Sequence, residues 1–226
     1  EVYNSNKVIL TDNIFHHHFV YEINKNEYLT KLFKEKLIVE KKHLRAVKIF
    51  EKKHFINQKV LGVHFRGTSY KRSSGHPFPA TVKQVIYNVD QLLKRENFEK
   101  IFLATEEKRY KELFVKKYKD KVCFLKSAYR SNKNDAFVKY PRKKHRYKNG
   151  REILVEALLL SNCDGFLYVL SNVGSVAKAW QRNKNQKQYI IDNGNNSPNP
   201  LIAQWLWYLK KMLPENFGGF KTRISY

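Results

Sequence analysis

Apolar positions in residues 26–54 recur at three- and four-residue steps, with Leu29, Leu32, Phe33, Leu37, Ile38, Leu44, Val47, Ile49 and Phe50 set among charged turns. That spacing predicts two amphipathic helices. The run KVLGVHF at 59–65 is short and rich in β-branched residues, and it stops at Arg66-Gly67, the pattern of a buried strand followed by a loop. After the punctuation Gly75-His76-Pro77-Phe78-Pro79, residues Val82, Val85, Ile86, Val89, Leu92 and Leu93 step as a helix. Four more strands are predicted at 100–105, 122–125, 166–171 and 187–192, alternating with helices over 106–118, 150–163, 171–180 and 201–213. From Ile153 to Leu160 the helix is apolar nearly all round, so it is expected to be buried, and Ser171-Asn172 offers N-cap chemistry to the next one. Five short buried strands alternating with helices predict the α/β class: a parallel sheet covered on both faces, a Rossmann-like doubly wound domain. No internal repeat is visible.

Composition agrees with a folded chain. The 226 residues suffice for one domain to one and a half, and 42% hydrophobic content with 14 Tyr, 15 Phe and 3 Trp excludes a disordered basic tail. The net charge of +24, from 44 Lys+Arg against 20 Asp+Glu, favours phosphate-bearing partners in general: nucleic acid, anionic lipid or a nucleotide-linked substrate. One dense stretch, residues 129–150, carries eight Lys/Arg and a single acid, Asp135, and reads as a solvated loop rather than a binding arm. No run of eighteen apolar residues exists, and EVYNSNKVIL has no signal-peptide core, so neither a membrane span nor secretion is encoded. Cys123 and Cys163 lie forty residues apart without CxxC spacing, which points away from disulfides and zinc and towards a reducing compartment. The expected location is cytoplasmic, with peripheral membrane association as an alternative. His16-His17-His18 reads as a surface turn rather than a metal site, and the first residue, Glu1, fits a piece of a longer polypeptide.

In an open parallel sheet the ligand lies outside the carboxyl ends of the strands. Alternation along the first strand puts Leu61, Val63 and Phe65 on one face and Gly62, His64 and Arg66 on the other. A guanidinium at a strand end can grip two phosphate oxygens while the small Gly67 lets the loop backbone come close. The alternative is an arginine paired with Glu106 or Glu156, and for His64 a satisfied core histidine. The second strand ends at Thr105-Glu106. The fourth ends at Ser171-Asn172-Val173-Gly174-Ser175, a helix start that forms either an anion site or a plain N-cap. Glu156 is the one ionisable residue of ILVEALLL, so it needs a partner. It holds either a base or ribose, or a neighbouring cation.

VLGVHFRGT at 60–68, KIFLATEE at 100–107 and REILVEALLLSNCDGFLYVLSNVGS at 151–175 together resemble the three motifs of the α1,6-/α1,2-fucosyltransferase and protein O-fucosyltransferase superfamily, with most likeness to the bacterial nodulation-fucosyltransferase branch. The resemblance covers roughly residues 55 to 195. It implies a metal-independent GT-B enzyme that transfers fucose from GDP-fucose to a glycan acceptor, with no cofactor. The motifs would then lie in the donor-binding Rossmann domain. Arg66 would grip the diphosphate, His64 and Glu156 would help bind guanosine, and Ser171 and Asn172 would approach the phosphates. Gly67, Thr105, Glu106 and Val173 complete the expected donor set, and the Glu106-Glu107 pair is expected to be partly structural. The absence of Asp-x-Asp agrees with Arg66 and a helix N-terminus replacing a metal.

Two departures matter. No carboxylate occurs between Gly62 and Val89, so the loop lacks the acidic acceptor base of the α1,6 enzymes, and His76 is the candidate in its place. Only about 55 residues precede the first motif, too few for an acceptor-side domain. Residues 1–55 are therefore expected to be the helical end of such a domain, 56–200 the donor-binding domain, and 201–226 a helix packing back on the N-terminal part or docking on a membrane with Lys210 and Lys211 at the headgroups. Competing readings are a domain that binds GDP or a GDP-sugar without transfer, and a nucleic-acid binder driven by charge. The latter lacks helix-turn-helix, RNP, KH and zinc-finger signatures, and no nucleic-acid partner is expected.

Overall fold

The computed structural model describes residues 27–67, 69–131 and 140–224. His16-His17-His18, Thr68 and Asp135 lie outside the described residues. The described residues begin with helices α1 (Glu27–Lys36) and α2 (Lys41–His54), then run β1 (Val60–His64), α3 (Val82–Arg95), β2 (Lys100–Ala104), α4 (Lys108–Tyr118) and β3 (Val122–Cys123). They continue with α5 (His145–Leu160), β4 (Gly165–Tyr168), α6 (Asn172–Ala179), β5 (Lys187–Ile190) and α7 (Pro200–Met212). All strand pairs are parallel, and the order β3-β2-β1-β4-β5 places the first strand at the centre. This is the doubly wound α/β arrangement expected from the sequence.

Strand alternation divides the core into two layers. Leu61, Val63 and Phe65 pack with Val85, Val89 and Leu92 of α3 and with Tyr110 and Phe114 of α4. On the opposite face Val60, Phe102 and Phe166 pack with Val47 of α2, with Leu158, Leu159 and Leu160 of α5, and with Ala177 of α6. Both predicted N-terminal helices are thus present; α2 belongs to the sheet's own core, and Phe33 of α1 meets Trp180 at 5.3 Å between ring centroids. Local signals start the helices where capping predicts: Thr81 and Gln84 form a reciprocal capping box on α3, Ser171 caps α6, and Asn199 caps α7 with Pro200 in its first turn.

Several boundaries differ from expectation: β4 ends at Tyr168 rather than 171, β5 at Ile190 rather than 192 and α5 at Leu160 rather than 163. β3 is two residues long rather than four, because the Leu125 carbonyl is drawn off to the Arg130 guanidinium at 2.9 Å. α4 starts at Lys108 rather than 106, since the Glu106 carbonyl accepts from Ser131 N at 2.9 Å. α5 starts five residues before Gly150, so the end of the basic stretch is helix and not loop. Asn-Gly suggests a turn there, but buried His145 fixes the start by packing edge-on to Tyr129 and accepting from Arg142 Nε at 3.2 Å. Among the described residues no helix is long and apolar enough to cross a membrane.

α7 rests its inner side on the loop after β1. Trp207 packs with Phe78 and Phe220, and its Nε1 donates to the Pro79 carbonyl at 2.8 Å. The tail beyond it is tied to α3: Gln84 donates to the Lys221 carbonyl, and Asn88 donates to the Thr222 carbonyl while accepting from Ile224 N.

Candidate functional site

The parallel register determines which residues meet at the sheet's carboxyl edge. His64 pairs with Ala104, and the Phe65 N–H continues the ladder to the Ala104 carbonyl at 3.0 Å. Two residues further on, Arg66 therefore stands beside Glu106, with Nε 3.4 Å from the carboxylate. On the other side Val63 pairs with Leu167, which brings the start of α6 level with the same loop. Ser171 Oγ lies 3.4 Å from His64 Nδ1 and accepts the Gly174 N–H at 3.1 Å.

These residues line a cleft in two parts. The larger part, about 40 Å³, is bounded by His64, Arg66, Thr105, Glu106, Glu156 and Val173 on one side and by Tyr129, Asn149, Glu152 and Ile153 on the other. The adjoining part lies between His64, Arg66, Tyr70, Pro79 and Ser171. Arg66 and His64 face both. Gly67 sits behind Arg66 and donates its N–H to Glu106 at 3.3 Å. A β-carbon there would collide with the Glu107 carboxylate and the Tyr110 ring, so only glycine permits this close approach. Asn172 is exposed and lines neither part, and neither does His76. His76 is one ring removed: its centroid is 5.2 Å from that of Tyr70, which carries the Arg66 guanidinium 4.2 Å above its face.

The acidic pair after β2 splits its work. Glu106 holds Arg66 and the Gly67 N–H, while fully buried Glu107 binds Lys71 at 3.3 Å and Arg109, tying down the turn that carries Tyr70. Burial raises the Glu106 pKa against the pull of Arg66. Burial, with a smaller push from the Arg66 charge, drives the His64 imidazole down to about 3, so it is neutral at ordinary pH.

Of the opposite wall, the sequence pointed to Glu156 alone. Glu152 and Glu156 stand one turn apart on α5, and each is held by an arginine from the basic stretch. Arg142 grips Glu152 with both terminal nitrogens at 2.8 and 2.9 Å, and the same carboxylate accepts Tyr129 N at 3.1 Å. Arg130 donates to Glu156 at 3.1 Å and also to the Leu125 and Ala128 carbonyls, and its own Nε is buried without a partner. Of the two readings of Glu156, a partner cation is the one seen in this state. Its carboxyl is nevertheless pushed up to about 8, because desolvation outweighs the attraction of Arg130. The signal that could have exposed this wall was the demand for a buried cation made by two carboxylates at i and i+4 on an apolar helix.

The arrangement offers fixed cations, a neutral imidazole and a helix N-terminus around one cleft, which suits binding of an anionic group. Among the described residues no group of three His, Cys, Asp or Glu side chains clusters as metal ligands.

No protein-family profile matches the chain, and no curated protein does. Solved structures do. The chain is similar to NodZ α-1,6-fucosyltransferase co-crystallised with GDP, at 15% identity and TM-score 0.47, over 68% of this chain and 46% of that one. It is similar also to POFUT1 in complex with GDP-fucose, at 10% identity and TM-score 0.49, over 73% and 49%, and to fucosyltransferase NodZ from Bradyrhizobium, at 14% identity and TM-score 0.45, over 67% and 46%. The chain spans about half the length of these structures.

Proposed function

We propose that this chain is the donor-binding part of a metal-independent glycosyltransferase that takes GDP-fucose and passes the fucosyl group to a glycan hydroxyl. The observation that carries the reading is the position of Arg66: it ends the central strand, faces both parts of the cleft, and stands level with the N-terminus of α6. The quoted motifs at 60–68, 100–107 and 151–175 supply the same three edges of that cleft. In the reaction the acceptor oxygen bonds to the anomeric carbon while the bond from that carbon to the phosphate oxygen breaks. The electron pair leaves with GDP, where Arg66 and the first turn of α6 stabilise it. Neutral His64 and Glu156 would take the nucleoside, and Glu156 must then exchange Arg130 for the base or ribose. His76 would accept the acceptor proton only from a sugar seated over Tyr70. Residues 56–200 form the donor-binding domain in this reading, with α2 (Lys41–His54) packed into its core rather than standing on an acceptor side.

A second reading, GDP or GDP-sugar binding without transfer, is favoured by one observation: each carboxylate of the cleft is engaged, Glu106 by Arg66, Glu152 by Arg142 and Glu156 by Arg130. Calorimetric titration of GDP, UDP and ADP in chelator separates donor binding from general anion binding. GDP alone is expected to bind, and Arg66→Ala is expected to weaken it by about 1.5–3 kcal/mol, the usual worth of hydrogen bonds to a charged group. Equal binding of all three nucleotides, or none, removes the reading. Release of GDP from GDP-fucose in the presence of a glycan then separates an enzyme from a binding domain.

A further inference from the structure

The outer side of α7 is apolar and open. Leu201 is 75% exposed, Trp205 67%, Leu209 54% and Met212 83%, and Phe217 in the following turn is 75% exposed. At about 100° per residue these helix positions, with Ile202 and Tyr208, fall in one stripe about 120° wide, the width that normally faces a core. The inner side is already satisfied by Ala203 and Trp207. So large an apolar stripe marks an interaction surface.

Charge selects the occupant. The sequence has no Asp or Glu from Asn193 to Pro214, and none in the supporting loop between Gly62 and Val89. Arg72 lies 5.6 Å from the Tyr208 ring at the edge of the stripe, Lys211 is on its flank, and Lys83 and Lys221 stand close enough to act on Glu215 just beyond the helix. A second copy of this chain would bring another +24 and the same cations against themselves, which opposes self-pairing. An anionic surface with an apolar interior meets both requirements at once, and Trp205 and Tyr208 are the residue types that lie at such a boundary.

We propose that the outer face of α7 docks on an anionic lipid bilayer, with Leu201, Trp205, Leu209 and Met212 entering the acyl boundary and the surrounding lysines and arginines meeting the headgroups. The inference stands apart from the donor reading. The same helix is fixed to the cleft through Trp207, whose ring lies 5.2 Å from Lys71 Nζ and whose Nε1 donates to Pro79, so docking would fix the cleft close to the lipid surface.

The test is co-sedimentation of the full chain with vesicles of POPC alone and of about three parts POPC to one part POPG. Binding is expected on the anionic vesicles and is expected to fall as salt rises. Trp205→Gln with Leu209→Gln should weaken it at least about tenfold, as loss of buried apolar area requires. Lys211→Gln with Lys221→Gln should weaken it several-fold without touching the stripe. Brominated lipid should quench tryptophan emission in the wild type and much less in Trp205→Gln. The substituted side chains are exposed, so unchanged circular dichroism and melting are expected in both double variants. Absence of binding to anionic vesicles overturns the proposal, and so does undiminished binding by the Trp205/Leu209 variant, which would assign the effect to charge alone. A wild type that sediments as a dimer while that variant is a monomer would instead give the stripe to a second copy.

Discussion

The two walls of the cleft are built by different means. On the β1 side Arg66, His64 and Gly67 are consecutive or nearly so, and backbone register alone sets them against Glu106 and Ser171. On the α5 side Glu152 and Glu156 take their arginine partners from residues 10 and 26 positions away, through side-chain contacts that no backbone register sets. The first wall is held by the sheet that forms the core. The second is held by two ion pairs that a ligand can compete for. A cavity of about 40 Å³ is far below the roughly 300 Å³ or more of a small-molecule site, so entry of a nucleotide requires one wall to give way. The wall whose bonds can be exchanged one for one is the α5 side.

The largest effect is expected from breaking that wall. The Arg130 and Glu156 side chains are 7% and 11% exposed, so the donors of Arg130 are spent on buried acceptors. Arg130→Met should lower stability by about 3 kcal/mol at neutral pH: Glu156 is then mostly protonated, and its carboxyl and the Leu125 and Ala128 carbonyls lose their charged donor. Adding Glu156→Gln should restore only a small part of the loss, because the two carbonyls stay unmatched. Denaturant unfolding of both variants checks this, and a loss under about 1 kcal/mol for Arg130→Met would show that the pair does not hold the wall.

A smaller loss is expected when the register-built wall is overfilled. Gly67→Ala places a methyl against Glu107 and Tyr110, both buried, so the loop must shift. About 1–3 kcal/mol of stability should go, the range for overpacking. GDP affinity should fall with it as Arg66 is displaced. Full stability with full GDP binding would mean that the loop has room to spare.

These two sites also show what the sequence could and could not reveal. Strand periodicity puts His64 and Arg66 on one face, and the parallel βαβ rule puts strands 1, 2 and 4 side by side, so Arg66, Glu106 and Ser171 could be brought together from pattern alone. Arg130 and Arg142 could not. They are two of eight cations in a stretch with no apolar period, and nothing local distinguishes them from Lys143 or Lys144, which remain at the surface. Long-range side-chain pairing is decided by the fold and not by spacing. The early start of α5 was hidden for the same reason, because tertiary packing of His145 overrides a turn-like Asn-Gly.

The walls should also respond to pH in opposite directions. The folded pKa of His64 is depressed from 6.5 to about 3, so the unfolded chain binds more protons between those values, and stability present above pH 6.5 is lost as the pH falls towards 3. The folded pKa of Glu156 is raised from 4.5 to about 8, so its contribution is full below pH 4.5 and declines as the pH rises through 8. Denaturant curves across this range should show His64→Gln flattening the acid limb and Glu156→Gln flattening the alkaline one. An acid limb unchanged in His64→Gln would mean that the imidazole is hydrated in the fold.

The smallest effect is expected at the outer end of the α5 wall. Arg142 is 24% exposed, so its pair with Glu152 is partly screened, and replacing the fork by a point charge in Arg142→Lys should cost no more than about 1 kcal/mol. The consequence for the site should be larger than that figure suggests. Arg142 lies over the Tyr129 ring at 5.0 Å, and Glu152 holds the Tyr129 N–H, so the fork fixes an aromatic side chain in the lining of the cleft. A lysine can keep the charge but cannot bind both carboxylate oxygens and cover the ring together. Unfolding should therefore be nearly unchanged in Arg142→Lys while GDP affinity falls by a few-fold, and a variant that loses stability but keeps affinity would place Tyr129 outside the nucleotide's path.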